Sequence, residues 1–144
     1  MTPSDMDQLI KKHIDAEIAG DTAGGVAVYS DDVQQDVVGF PTGPVRGKKA
    51  AQGFYDYLTK NFQTEVMDVT RSYYGDDFCV LEHDATGTVP GELLGVPGNG
   101  RRITFRLLHV WEFRDGLISR ENVWLDGGSV IAQLAAPDLA STSA

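Results

Sequence analysis

Residues 103–126 read Ile103-Thr-Phe-Arg-Leu-Leu-His109-Val-Trp-Glu-Phe-Arg-Asp115-Gly116-Leu-Ile-Ser-Arg-Glu121-Asn-Val-Trp-Leu-Asp126. Ile103, Phe105, Leu107, His109, Trp111 and Phe113 alternate there with Thr104, Arg106, Leu108, Val110, Glu112 and Arg114. That period of two belongs to a strand with one buried face. Asp115-Gly116 is a tight-turn signal, so the stretch predicts two long antiparallel strands. His109 is the only ionisable group on the apolar face of the first. A titratable ring among aliphatic and aromatic neighbours has to be hydrogen-bonded, paired with a charge, or used in chemistry.

The flanking chain supplies what such a hairpin packs against. Upstream, Met6, Leu9, Ile10, His13, Ile14 and Ile18 recur at helical spacing, with Ser4 as the expected cap and Gly20 as the stop. His13 lies on that apolar line and is read as a packing residue. Asp21 is the expected cap of a short second helix running to Tyr29, residues 33–38 form a first strand, and a third helix occupies 48–62. Between them, residues 40–47 form a turn-rich loop carrying one aromatic, Phe40. Two more strands are expected at 66–74 and 78–86 around the turn Gly75-Asp76-Asp77. On the second of these, Cys79, Leu81, His83 and Ala85 form the inward set. Residues 87–100 hold five glycines and two prolines and are expected to form a rim flap. A last helix spans 128–134, with Asp126 as its N-cap.

Helices first and antiparallel strands afterwards predict an α+β fold: a curved, cone-shaped antiparallel sheet wrapped around the N-terminal helices, with an interior pocket. At 144 residues the chain is expected to be a single domain over 1–135, followed by a small, polar, disordered tail over 136–144. The formal charge of −9, from 21 acidic and 12 basic residues, opposes phosphate backbones and anionic lipids. Nucleic-acid and membrane roles are therefore not expected. The N-terminus lacks the pattern of a signal peptide, so a cytoplasmic protein is expected. The single cysteine, Cys79, excludes an internal disulfide and reads as a small buried apolar residue. No His-x-His or His-x-x-x-His spacing supports a metal, the glycine-rich segment is not a dinucleotide fingerprint, and no phosphate-binding Gly-Lys-Ser/Thr loop occurs. Neither metal nor cofactor is expected.

Several pieces, in order, carry a resemblance. They are Tyr29-Ser-Asp-Asp-Val33, Gly47-Lys-Lys-Ala-Ala51, Gly91-Glu-Leu-Leu-Gly-Val-Pro97 with Gly100-Arg101, Phe113-Arg-Asp-Gly-Leu-Ile118, Glu121, and Trp124-Leu-Asp126 ending in Gln133-Leu134. Together they resemble the SnoaL-like polyketide cyclase family of the nuclear transport factor 2-like, ketosteroid isomerase-like superfamily. In that family a histidine on the penultimate strand and an aspartate on the last line the pocket, and the aspartate serves as general acid/base in an intramolecular aldol closure. The resemblance places His109 at the histidine's position and Val123 at the aspartate's. A valine moves no proton, so the family mechanism does not transfer intact.

Glu121 precedes Val123 by two residues and faces the same way by strand alternation. A one-residue bulge carried by the Arg114-Asp115-Gly116 turn would set Glu121 opposite His109 on the inner face, whereas a plain two-residue turn would set Asn122 there. The bulged form keeps the family's inward positions inward. His109 and Glu121 are then the expected acid/base pair, and His83 is a third polar group hydrogen-bonding a substrate carbonyl. Tyr29, Phe40, Tyr55, Trp111, Val123 and Trp124 are expected to line the substrate pocket. Two non-catalytic readings stand beside this cyclase, isomerase, dehydratase or hydrolase: a carrier of a small hydrophobic ligand, and a structural dimerisation domain. A homodimer is expected, with outer-face Leu108 and Val110 at the contact.

Overall fold

A computed structural model describes residues 1–137. The chain begins with helix α1 (Pro3–Ile18), helix α2 (Thr22–Val26), strand β1 (Tyr29–Val38), strand β2 (Val45–Arg46) and helix α3 (Lys48–Asn61). Strands β3 (Gln63–Tyr74), β4 (Phe78–Val89), β5 (Glu92–Leu93), β6 (Val96–Pro97), β7 (Arg101–Arg114) and β8 (Leu117–Leu125) follow, and helix α4 (Gly127–Ala135) closes the order. Six strands form one sheet in the order β2-β1-β8-β7-β4-β3, curved around the N-terminal helices. All of its pairings are antiparallel except β1 with β8, which is parallel. The architecture is the expected α+β cone, with this one parallel seam.

Local chemistry accounts for most boundaries. Thr2, not Ser4, caps α1: its hydroxyl accepts from the Asp5 N–H at 3.1 Å while the Asp5 carboxylate accepts from the Thr2 N–H at 3.0 Å. Pro3 then fits the first helical position, where its missing N–H is not needed. Asp21 caps α2 as read, but that helix stops at Val26 and Tyr29 already belongs to β1. The glycine pair Gly24-Gly25 gives a helix little intrinsic support, and pairing with β8 draws the following residues into the sheet. Asp126 caps α4 by accepting from the Ser129 N–H at 3.2 Å. Of the expected tail, Ala136 accepts through its carbonyl from the Arg101 guanidinium at 2.7 Å, and 138–144 lie outside the described residues.

The β7–β8 hairpin turns at Asp115 and Gly116, both with positive φ (52° and 75°). Arg114 pairs with Leu117, Phe113 with Ile118, and Glu112 with Arg120. Ser119 is therefore an extra residue on β8, a bulge placed in the strand just after the turn. It sets the register so that Val123 stands across from His109 and Glu121 across from Trp111. The expected register is corrected: the turn itself is the plain two-residue form, the bulge lies beyond it in β8, and the residue directly opposite His109 is Val123, with Glu121 diagonal to it on the same inner face.

Two apolar clusters fill the cone. One gathers Met6, Ile10, Val33, Phe54, Trp111 and Ile118 under α1 and α3. The other gathers Phe62, Val89, Leu93, Phe105, Val130 and Leu134 at the end closed by α4. Phe40, Leu58, Leu107 and Leu125 pack against both, and the interior cavity opens at this seam. The expected rim flap is the small β5–β6 hairpin, whose Leu93 and Leu94 reach the cavity wall.

Candidate active site

Glu121 is the centre of the interior polar cluster. It is 1% exposed, and strand β8 points it inward between α1, α3 and β7. Tyr55, on the buried face of α3, donates its O–H to Glu121 at 2.8 Å from Oε1 and 3.0 Å from Oε2, and Tyr29 at the start of β1 donates to Oε2. Burial, reinforced by the nearby Glu121 carboxylate, pushes both phenols well above their usual range. They are therefore donors throughout the physiological range, and the oxygens of the Glu121 side chain are the acceptors they share.

His109 is 5% exposed, with its ring stacked on Trp111 at 5.1 Å between centroids. Burial, followed by the proximity of His83 and His13, holds its imidazole well below the usual histidine range, so it is neutral. Its Nδ1 lies 3.1 Å from Nδ1 of His83, and its Nε2 lies 3.8 Å from Oε1 of Glu121. One of the two Nδ1 atoms must donate and the other accept. A bare lone pair at Nε2 of His109 would face the carboxylate, so the favoured tautomer has Nε2–H directed toward Glu121 and the cavity, and accepts at Nδ1 from His83. The ring is thus a neutral donor rather than one half of an ion pair.

His83 is corrected by the structure. It is 1% exposed, burial lowers its pKa to about 4, and it stands behind His109, away from the cavity wall. Its part is to fix the His109 ring. Among the described residues its Nε2 has no hydrogen-bond partner, and neither does the amide of Gln35, which lies beside Glu121 in the β1–β8 register.

The reading of His13 is corrected as well. It is buried on α1, and its Nδ1–H donates to the Gly25 carbonyl at 2.8 Å. Its Nε2 then lies 3.0 Å from the Tyr55 hydroxyl and 3.9 Å from Oε2 of Glu121. One turn further along α1, Glu17 has a side chain 9% exposed that accepts from the Thr64 hydroxyl at 3.3 Å and lies 3.9 Å from the same Nε2. Burial raises the Glu17 carboxyl to about 7; the Glu121 charge adds to the rise, while His13 and the Thr64 hydrogen bond oppose it. Glu17 is not among the residues that the sequence singles out, because a glutamate near a helix end is ordinarily solvated. The available signal was the i,i+4 spacing that puts it on the same line as His13.

The cavity has a volume of about 60 Å³. That is room for about two water molecules. Glu17, Thr64, Tyr55, His109 and Glu121 supply its polar wall, and Phe40, Phe54, Leu93, Phe105 and Val123 part of the apolar remainder. Of the expected lining residues, Phe40, Tyr55 and Val123 border it. Tyr29 and Trp111 form the layer behind, where they hold Glu121 and His109. Trp124 does not reach the interior: it is 50% exposed on the outer face, beside Leu108 in the β7–β8 register. The bulge at Ser119 puts position 123 inward, so 124 must face out.

The fold that carries this site has relatives. The model of the SnoaL-like domain matches residues 10–121, most of the chain. The chain belongs to the SnoaL-like family. Among solved structures this SnoaL-like protein superposes on a protein of Xanthomonas campestris pv. campestris assigned as a polyketide cyclase, with TM-score 0.81 at 20% identity over 92% of this chain and 98% of that one. A protein of Jannaschia sp. CCS1, assigned as a SnoaL-like polyketide cyclase, gives 0.80 at 18% identity over 96% and 98%. One from Silicibacter sp. TM1040, assigned as a polyketide cyclase, gives 0.80 at 25% identity over 91% and 96%. No curated protein matches the chain by sequence. Among the described residues no helix is long and apolar enough to cross a membrane.

Proposed function

We propose that this SnoaL-like protein is a cofactor-free acid/base enzyme that removes a proton next to the carbonyl group of a small, mainly apolar molecule held in the cavity. One observation carries the reading: a buried glutamate, braced by two phenols, shares a greasy cavity wall with a neutral imidazole. In the proposed step the substrate carbonyl accepts from Nε2–H of His109, and Glu121 takes the α-proton. The C–H electron pair moves into the enolate, whose charge develops on the oxygen facing His109. A neutral imidazole suits that role because it donates without surrendering its proton outright. Where the substrate has a β,γ double bond the enolate is a dienolate, and return of the proton to its γ-carbon is isomerisation; attack of an enolate on a second carbonyl of the same molecule is ring closure. Relatives assigned as polyketide cyclases support the second outcome. With Val123 where the resemblance puts the family aspartate, Glu121, 3.8 Å from Nε2 of His109, acts as the base.

Exchange of α-protons for deuterium in a panel of small ketones, followed by NMR, tests this without knowledge of the natural substrate. Wild-type protein should accelerate exchange over buffer. Glu121→Gln should lower kcat/KM by about a hundredfold or more with ketone affinity retained, and His109→Ala should lower kcat more than it raises KM. Equal rates for Glu121→Gln and wild type would refute the reading. Loss of affinity alone would favour a carrier of hydrophobic ligands.

A further inference from the structure

The cavity holds one carboxylate more than an enolising base requires. Glu17 enters it from the last turn of α1 and Glu121 from β8, and both lie 3.9 Å from the same nitrogen, Nε2 of His13. Glu121 is saturated with phenol donors, whereas Glu17 accepts a single side-chain hydrogen bond, from Thr64 at 3.3 Å. The two carboxyl groups are thus set in different surroundings around one space.

We propose that Glu17 is a second catalytic group, the proton donor to an oxygen on the β-carbon of the substrate, and that the cavity dehydrates β-hydroxy carbonyl compounds and hydrates the corresponding enones. The proposal rests on the reading of Glu121 as base. Glu121 takes the α-proton, the C–H pair becomes the new α–β double bond, the C–O bond breaks, and the departing oxygen takes the proton of Glu17 and leaves as water. The step starts with Glu121 ionised and Glu17 protonated and ends with the reverse. Burial of Glu17, with a carboxyl pKa near 7, keeps a substantial protonated fraction at neutral pH.

The same cluster contains the return path. Tyr55 bridges Glu121 and His13, its hydroxyl 2.8 Å from Oε1 of Glu121 and 3.0 Å from Nε2 of His13. A proton passed from Glu121 to the Tyr55 oxygen, while the Tyr55 proton moves to His13, leaves an imidazolium whose Nε2 stands 3.9 Å from Glu17 Oε2, so a small rotation of the Glu17 side chain has to close the gap before transfer. Delivery to Glu17 restores the starting state with no external reagent. His13 is here a positioning and relay residue, and its Nδ1 bond to the Gly25 carbonyl holds the ring for it.

The test uses the full chain and diacetone alcohol, a β-hydroxy ketone that loses water to give mesityl oxide, with α-proton exchange and dehydration followed together by NMR in deuterated buffer. Wild type should catalyse both. Glu17→Gln should lower the ratio of dehydration to exchange by about a hundredfold, and Glu121→Gln should depress both rates. In wild-type protein, with no variant needed, the ratio should fall as pH rises through about 7, where Glu17 loses its proton in the presence of His13, Glu121 and Thr64. An unchanged ratio in Glu17→Gln, a ratio indifferent to pH, or exchange without dehydration in wild type would overturn the role of Glu17 and leave the base intact. Absence of exchange in wild type would overturn both.

Discussion

Glu17 and His83 are buried titratable groups shifted in opposite senses, and their effects on stability oppose each other. Glu17 is raised from 4.5 to about 7, so between those values the folded chain holds a proton that the unfolded chain has released, and stability falls as pH rises through the window. His83 is lowered from 6.5 to about 4, and His109 is shifted the same way, so the unfolded chain binds their protons first. Their contribution is present above 6.5 and is lost as pH falls toward 4. In wild type the effects partly offset each other between 4.5 and 6.5. Glu17→Gln removes one side of this balance. Denaturant titrations should show a steeper rise in stability with pH over that window and a plateau above it, where wild type still loses stability up to about 7; identical profiles for the two would contradict the burial of Glu17. At this scale the sequence exposed the site residues that lie on strands. His109 and Glu121 occupy inward positions of a period-two pattern, and an ionisable group there stands out. His13 and Glu17 were hidden because a helix stripe tolerates polar residues at its edge, and only the fold brings α1 over β8.

The β7–β8 hairpin shows what one inserted residue does. Without the bulge at Ser119, Asn122 would face His109 and Glu121 would point outward, and the interior would lose the carboxylate beside His109. The turn beneath the bulge holds Asp115 and Gly116 at positive φ, which aspartate tolerates and glycine adopts freely. Gly116→Val should therefore cost about 1–2 kcal/mol, read as a lower denaturant midpoint with unchanged slope. No loss at all would mean that the turn relaxes into another type. Turn and alternation were both legible because they are local. The start of β1 was not. Residues 21–29 follow a capping aspartate and read as helix, but the parallel pairing of Tyr29 with Ile118 decides their conformation, and that partner lies far along the chain. A Tyr29 at the end of a helix would not reach Glu121; as the first residue of β1 it donates to that carboxylate.

The cone as a whole was legible from the order of helices and strands, since a curved sheet with one apolar face needs helices to cover it. The parallel β1–β8 seam and the cavity's size were not, because both follow from how distant side chains meet. Phe40, Leu93 and Leu94 bound a space of about 60 Å³, so a substrate larger than a few heavy atoms has to displace the loop after β1 or the β5–β6 hairpin on entry. The account stands or falls on chemistry inside that space. A crystal structure of the protein with a small ketone bound tests it most directly. The ketone should lie in the cavity with its oxygen hydrogen-bonded to Nε2 of His109 and its α-carbon against the Glu121 carboxylate. A ketone held only on the outer surface, or one in the cavity with its carbonyl turned away from both residues, would contradict it.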